Sequence, residues 1–167
     1  MLSEISSVIV SHGALQMNVR IRPACEADAE AISRVVSAAL HTSNARDYSA
    51  DVIERVAQSF SASALCALMR QRQMFVAVAG AMIVGTASLD GHAVRSVFVD
   101  PDWHRRGVGR LLMEQIERVA RGAGEERLVV PSSVTAQGFY AALGFKVVRE
   151  HIEDEERTLI MERHLHS

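Results

Sequence analysis

Cysteine, proline and aromatic residues are scarce in this chain of 167 residues, which contains two cysteines, three prolines and 5% aromatic residues. Cys25 and Cys66 are too few and too isolated for a disulfide framework or for a zinc site with paired ligands. We therefore expect two reduced thiols, no bound metal and a cytoplasmic location. Both thiols stand beside apolar helical positions, so we expect them to be buried and not to act as nucleophiles.

The chain also lacks a large excess of charge of one sign and a long apolar run. The net charge is −2 and the arginines are scattered, so we expect no nucleic-acid partner. The uncharged, mostly apolar stretch at residues 74–89 contains Gly80 and Gly85. It falls short of the roughly twenty apolar residues that a spanning helix needs, and we expect no membrane segment.

The amino-terminal stretch differs from a secretory signal because it carries Glu4 and no early lysine or arginine. The first alternation of apolar and charged residues, typical of a half-buried strand, begins after Met17 at Val19–Arg22. We predict a mobile extension at residues 1–17. Residues 18–167 are predicted to form one domain, since a composition of 49% apolar and 23% charged residues can bury a core. The domain is expected to be a monomer or a homodimer.

Helical periodicity and capping residues predict three consecutive helices in the first half of the chain. The first runs from near Ile32 to Leu40, where apolar residues recur at helical spacing. Ser49 and Ser61 are suitable N-caps for the other two, and the polar segment 41–48 is predicted to be a loop.

Strand patterns dominate the rest of the chain. A later helix covers residues 112–119, and another is predicted to begin at a Thr135 cap and to end at Gly144. The predicted strands are 74–78 and 82–89 as a hairpin, then 94–99, 128–130, 145–150 and 158–161. The order β-α-α-α-β-β-β-α-β-α-β-β indicates a mixed α/β domain.

A strand, a glycine-bearing loop and a helix start follow one another in residues 97–112. Amides at a helix N-terminus and the helix dipole attract anions, and Gly107 and Gly109 let a phosphate approach the backbone. Countercharge is available from Arg105, Arg106 and Arg110. Tight packing of helix against strand is the alternative reading of the two glycines. If they serve an anion, valine at either position should weaken its binding more than the fold.

Two other phosphate-binding motifs are excluded by single positions. A dinucleotide-binding fingerprint requires glycine or alanine where Leu112 stands. A P-loop requires Lys-Ser/Thr after its last glycine, whereas Gly109 is followed by Arg110 and Leu111.

The segment His104-Arg105-Arg106-Gly107-Val108-Gly109 follows Val99-Asp100-Pro101. It resembles the signature of the GNAT superfamily of N-acetyltransferases, Gln/Arg-x-x-Gly-x-Gly/Ala after a strand that ends in Val-x-Pro. His104 departs from the signature at its first position. Because the family binds pyrophosphate mainly through backbone amides of this loop, the departure concerns one side-chain contact rather than the site.

Residues 133–145 are similar to a second family segment, Asn-x-x-Ala-x-x-Phe-Tyr-x-x-Leu-Gly-Phe. Ser133 stands where asparagine is usual, so a hydrogen bond to the pantetheine arm is altered or comes from the hydroxyl. By themselves, Phe139 and Tyr140 also fit an ordinary aromatic cluster that holds the last helix on the sheet. Both motifs occur in the family's order, with a helix and a strand between them.

The resemblance implies a mixed, mostly antiparallel central sheet with a splayed strand pair and flanking helices, and acetyl-CoA as co-substrate. The pantetheine arm would lie between the splayed strands, and Tyr140 would stand near the sulfur as general acid for the departing thiolate. The implied cofactor-binding residues are Phe98, Val99, His104, Arg105, Arg106, Gly107, Val108, Gly109, Arg110, Ser133, Ala136 and Phe139.

The acceptor amine must be neutral to attack, and an amine of pKa about 10.4 is neutral roughly once in a thousand at pH 7.4. The family often has a glutamate base early in the strand that corresponds to Val94–Val99, and this chain has none there. Asp90 and His92, just before that strand, are the candidate bases, although a solvated turn around Gly91 is the alternative. We predict direct attack without an acyl-enzyme.

The sequence does not distinguish between a polyamine, an antibiotic, an amino acid and a protein amine as the acceptor. By resemblance, residues 41–48 and 151–157 would flank its entrance. Asp47 and the acidic run 153–156 would attract a cationic amine there, or form only a solvated turn. A non-catalytic module that binds or senses acyl-CoA is the alternative function.

Overall fold

The computed structural model describes residues 7–12 and 15–165, and the side chains of residues 18–165. The strands are β1 (Ser7–His12), β2 (Leu15–Pro23), β3 (Gln73–Ala79), β4 (Met82–Asp90), β5 (Ala93–Val99), β6 (Arg127–Ser133), β7 (Lys146–Glu153) and β8 (Glu156–His164). The helices are α1 (Ala29–Thr42), α2 (Ala50–Gln58), α3 (Ala62–Gln71), α4 (Val108–Gly122) and α5 (Gln137–Ala142). In the described residues, single 3-10 turns lie at Glu26–Asp28, Asn44–Arg46 and Pro101–Trp103.

The strands form one sheet in the order β1-β2-β3-β4-β5-β6-β8-β7. Every neighbouring pair is antiparallel except β5 and β6, which are parallel. The predicted mixed, mostly antiparallel α/β fold is confirmed. Within the described residues, no helix is both long and apolar enough to cross a membrane.

Both faces of the sheet are buried at its centre, as β3 illustrates, whereas the edge strand β7 is exposed. Phe75 and Ala77 point into one apolar cluster with α4, whereas Met74, Val76 and Val78 point into a second cluster with α1, α2 and α3. Alternate residues of a strand point to opposite faces, so an almost continuous apolar run serves both layers. The hairpin predicted for this region is confirmed, with Gly80 at φ +61° in its turn.

The parallel pair β5 and β6 separates almost as soon as it forms. The two strands are paired only between Ala93 and Val129, where the Val129 amide donates to the carbonyl of His92 at 3.0 Å. Parallel strands run towards the same sheet edge, so the gap opens at their carboxyl ends, near Val99 and Ser133. The predicted splayed pair is therefore present.

A β-bulge at Ser96 changes which face of β5 each side chain reaches. Ser96 has φ +54°, and opposite it the pairing shifts register between Thr86 and Ser88. Val94 and Val97 consequently pack in the α4 cluster although their spacing would otherwise place them on opposite faces. Arg95 and Phe98 are left on the other face, and Phe98 packs there among α1–α3 residues.

The predicted helix caps are confirmed in two places and wrong in a third. The hydroxyls of Ser49 and Ser61 accept hydrogen bonds from the amides of Val52 and Ala64, both at 3.3 Å. Thr135 does not cap α5. Its hydroxyl donates instead to Asp47 at 2.7 Å, which is a stronger partner because the acceptor is ionised.

Two expectations concern the beginning of the chain. Within the predicted extension 1–17, the structure contains β1 and the start of β2, which pair with each other. The mobility of the stretch stays a prediction.

The prediction that both cysteines are buried is wrong for Cys25, which is exposed. Cys25 precedes a 3-10 turn, and its thiol lies 3.4 Å from the Asp28 carboxylate.

Asp28 ties the start of α1 to the end of β2. Its two carboxylate oxygens accept from Arg22 at 2.8 and 2.9 Å, and one also accepts from the Cys25 amide at 2.9 Å. The bonds to Arg22, more than those to Cys25, lower the pKa of Asp28 to about 2 despite its burial. The charged carboxylate is therefore a structural requirement at this corner.

We expect Asp28→Asn to reduce the free energy of unfolding by about 1–3 kcal/mol at pH 7, because it breaks a bidentate pair with Arg22. The folded pKa is below the unfolded value of about 3.8, so the carboxylate stabilises the fold above pH 4. That stabilisation should disappear as the pH falls towards 2. Urea titrations of both proteins at several pH values test this.

Glu30→Gln is the control, since Glu30 is an exposed carboxylate two residues further on, in the first turn of α1. It should leave the free energy of unfolding at pH 7 almost unchanged. An equal loss in the two variants would contradict the structural role of Asp28.

Candidate active site

Two cavities meet where β5 and β6 separate. The larger one, about 640 Å³, runs from the α4 N-terminus towards α5, and we call it the cofactor cleft after the predicted residues that line it. The other, about 380 Å³, lies between β5, β6, β8 and the α1–α2 region, and we call it the acceptor cavity because it lies between the segments expected to flank the acceptor. Both are lined by the same six residues at their junction: Asn44, Val97, Phe98, Ser133, Ala136 and Tyr140.

The loop before α4 has a backbone suited to an anion. Arg105 has φ +62° and Gly107 has φ +81°, and such alternation of left- and right-handed residues turns successive amides into one concavity. The first amide of α4 that bonds back into its turn is that of Leu111, to the Gly107 carbonyl at 3.0 Å. The amides of Val108, Gly109 and Arg110 precede it and, as at any helix N-terminus, lack an intrahelical acceptor.

Most of the predicted cofactor-binding residues come together in this cleft. The lining contains Phe98, Val99, His104, Arg105, Gly107, Val108, Gly109, Arg110, Ser133, Ala136 and Phe139. Arg106 is not among the lining residues; its guanidinium lies 4.9 Å from the centroid of the buried Trp103 ring. Arg105 and Arg110 therefore supply the positive charge of the cleft.

His104 ties the loop to the end of β5. Its Nε2 donates to the Val99 carbonyl at 3.0 Å, which requires the proton to be on Nε2. The residue that departs from the GNAT signature thus has a structural partner of its own.

Gly109 is required by packing against α5. A Cβ at this position would lie 2.9 and 3.0 Å from Cε1 and Cζ of Phe139. At Gly107 a Cβ would meet nothing within 4 Å, but the positive φ makes any side chain strained. The two glycines therefore have different reasons to be glycine, and the packing reading holds for Gly109.

The turn between β6 and α5 is held by Ser133. Its hydroxyl oxygen accepts from the Ala136 amide at 3.1 Å, while its hydrogen remains available to a partner in either cavity. Ser133 thereby supplies the turn contact that the sequence had suggested for Thr135.

Tyr140 lies at the junction of the two cavities and is only 4% exposed. Its ring makes edge-to-face contacts with Phe139 and Phe145, at 5.1 and 5.6 Å between centroids. No buried side-chain polar atom lacks a partner in the described part of the chain, and no described residue bonds the Tyr140 hydroxyl. The hydroxyl must therefore be open to the cavities. Burial raises its pKa well above 10, so it is protonated near neutrality.

The structure does not bring Asp90 and His92 to this junction. Asp90 is the last residue of β4 and His92 lies in the turn before β5; both are exposed, and neither lines the cofactor cleft or the acceptor cavity. Of the acids that the sequence offered near the acceptor, only Glu156 lines the acceptor cavity. Asp47 accepts from Thr135, and Glu153 pairs with His151.

A strap formed by residues 44–48 crosses one side of the acceptor cavity. The Tyr48 hydroxyl donates to the Arg157 carbonyl at 2.8 Å and accepts from the Val134 amide at 2.7 Å. Burial is the main reason that the pKa of Tyr48 is raised. The strap holds together the segments that were expected to flank the acceptor.

Arg72, Arg95 and Ser96 also line the acceptor cavity, and sequence reasoning did not find them. The available signal was a pair of polar residues, Arg95 and Ser96, within the apolar strand 94–99. The cavity that they line depends on the separation of β5 from β6, which no local pattern shows. Among the described residues, no group of three or more His, Cys, Asp or Glu side chains could hold a metal ion.

Comparisons with known proteins agree with the fold. Residues 44–162 match the family described as acetyltransferase (GNAT) domain. The chain belongs to this family, and it is an N-acetyltransferase of the GNAT type.

One curated relative is the uncharacterized N-acetyltransferase YafP of Escherichia coli, 29% identical over 133 residues, which cover 80% of this chain and 85% of YafP. A GCN5-related N-acetyltransferase from Rhodopseudomonas palustris has a similar structure, with a TM-score of 0.83, 22% identity and coverage of 98% of this chain and 100% of that one. The PaiA N-acetyltransferase of Thermoplasma acidophilum, solved in complex with coenzyme A, gives a TM-score of 0.76 at 20% identity, covering 88% and 99%.

We expect Gly109→Ala to lower the free energy of unfolding by about 1–3 kcal/mol, because the added Cβ displaces the Phe139 ring. In a Phe139→Leu background the loss should be smaller, since leucine lacks the ring atoms that the Cβ meets. A double-mutant cycle by urea denaturation measures this coupling. Additive effects of the two substitutions would contradict the packing role of Gly109.

Proposed function

We propose that this enzyme transfers the acetyl group of acetyl-CoA directly to a primary amine. The observation that carries the proposal is the junction of the two cavities, which lets a thioester and an amine approach Tyr140 from different sides. The residues at the α4 N-terminus suit a pyrophosphate, with free amides and the charges of Arg105 and Arg110. The complex of PaiA with coenzyme A supports the same ligand here.

In this reaction the amine nitrogen attacks the thioester carbonyl carbon, a C–N bond forms and the C–S bond breaks. The departing sulfur accepts a proton or hydrogen bond from Tyr140, whose hydroxyl is protonated at neutral pH. A coenzyme thiol with a pKa near 8.5 is already a fair leaving group, so the contribution of Tyr140 is useful rather than decisive.

The amine also has to lose a proton, which costs about 4 kcal/mol for a pKa of 10.4 at pH 7.4. Glu156 is the carboxylate in the acceptor cavity, and it forms no ion pair within the described chain. We propose Glu156 as the proton acceptor, directly or through water. Asp90 and His92 are less suited because they line neither cavity.

Acetyl-CoA binding is expected to stabilise the fold, because a ligand at a hundred times its dissociation constant adds about 2.7 kcal/mol. Thermal unfolding with increasing acetyl-CoA, together with calorimetry, measures the effect. Release of free thiol over a panel of amines then separates an enzyme from a non-catalytic module. A module would bind acetyl-CoA without acceptor-dependent release, and that result would contradict the proposal.

Tyr140→Phe keeps the buried ring and removes only the hydroxyl. We expect roughly a ten- to a thousand-fold loss of kcat with little change in coenzyme A affinity, since the hydroxyl acts on the leaving sulfur. Steady-state thiol release and calorimetry measure the two quantities.

Tyr48→Phe is the informative comparison because it removes the hydroxyl that joins the strap to Arg157 and Val134. It should lower the melting temperature, whereas Tyr140→Phe should not. An unchanged kcat in Tyr140→Phe would show that Tyr140 is only structural.

A further inference from the structure

The acceptor cavity presents two arginines from one wall. Arg72 lies between α3 and β3 and donates from Nη1 to the Ser96 hydroxyl at 3.0 Å. Arg95 lies on β5 directly after Val94, which packs in the α4 cluster, so the alternation of side chains along the strand puts Arg95 on the opposite face. Both side chains line the cavity.

Neither guanidinium has a carboxylate partner in the part of the chain that the structure describes. Arg72 is partly buried, and desolvation, followed by the charge of Arg95, lowers its pKa. The charge of Asp90 raises the pKa of Arg72, but Asp90 forms no ion pair with it. Two like charges beside one cavity, one of them partly desolvated, are unfavourable unless an anion joins them.

These arginines do not belong to the pyrophosphate site. The cofactor cleft is lined by Arg105 and Arg110. The acceptor cavity is lined by Arg72 and Arg95, and the two cavities share no arginine. An anion at Arg72 and Arg95 would therefore be part of the acceptor.

The opposite wall of the acceptor cavity carries the complementary charge. Glu156 begins β8, on the far side of the gap between β5 and β6. Between the two charged walls, α2 and the following segment contribute apolar side chains, namely Val52, Ile53, Val56 and Phe60. The volume of about 380 Å³ is that of a small-molecule site, and the Tyr48 strap crosses one side of it.

We propose that the acceptor is a small amine that also carries a carboxylate, as an amino acid with an apolar side chain does. Its carboxylate would bind Arg72 and Arg95, its side chain would pack against α2, and its amine would lie towards Glu156 and Tyr140. This inference rests on the proposed acetyl transfer and specifies its substrate class.

Leucine, leucinamide and 3-methylbutylamine share one side chain and form a series in which the carboxylate is neutralised or removed. We expect kcat/KM for leucine to exceed that for the other two by roughly 10- to 100-fold, the range of a charge-assisted hydrogen bond. The amine of leucinamide is less basic, so chemistry alone would favour the amide. A preference for leucine therefore reports on the cavity.

Arg95→Gln and Arg72→Gln should each reduce the ratio of kcat/KM for leucine to that for leucinamide by roughly tenfold, mainly through a higher KM for leucine. Arg95 is exposed, so Arg95→Gln should leave the melting temperature unchanged, and this holds even if Arg72→Gln lowers it. Arg34→Gln, at an exposed arginine that lines neither cavity, is the control and should keep the wild-type ratio.

Equal rates for leucine and its two analogues, or faster release with a lysine-containing peptide, would overturn the inference and leave acetyl transfer intact. Coenzyme A binding without thiol release for any amine would overturn the proposed function and the inference together. If the ratio of kcat/KM for leucine to that for leucinamide keeps its wild-type value in both Arg72→Gln and Arg95→Gln, the role of the two arginines would also be overturned.

Discussion

The short pairing of β5 with β6 is the constraint on which the rest of the site depends. Because the strands are paired only at Ala93 and Val129, their carboxyl ends separate and leave backbone and side chains of both strands available to ligands. An antiparallel or fully paired β6 would close this gap. The continuous sheet on either side, together with helices on both faces, holds the gap open without any covalent cross-link between the cysteines.

The bulge at Ser96 adds the second constraint, because it reverses the alternation of side chains along β5 where the strand lines both cavities. A non-glycine residue at φ +54° is strained, and such strain is retained where surrounding packing fixes it. Here the packing comes from Val94 and Val97 on one face and from Phe98 against Phe60 on the other, with 5.4 Å between the ring centroids. Because of the bulge, Val97 packs with the α4 cluster and Phe98 with the α1–α3 residues, the reverse of what uninterrupted alternation from Val94 would give.

The fold was predictable to the extent that its signals are local. The alternation in β2, the serine caps of α2 and α3 and the hairpin turn at Gly80 depend on neighbours within a few residues. The prediction that Thr135 caps α5 is wrong because its hydroxyl donates to Asp47, a residue far away in the sequence. Asp90 and His92 were chosen by their proximity to β5 in the sequence, and proximity along a strand does not determine which cavity a side chain enters.

By itself, the sequence determined the family, the glycine-bearing loop before α4 and the Phe-Tyr pair of α5, since each belongs to a short contiguous motif with fixed spacing. Only the tertiary structure decided which residues line the acceptor cavity. Arg72, Arg95 and Glu156 come from elements far apart in the chain, and their positions follow from strand order and the separation of two strands. Long-range packing fixes these features, and no local pattern of residues encodes them.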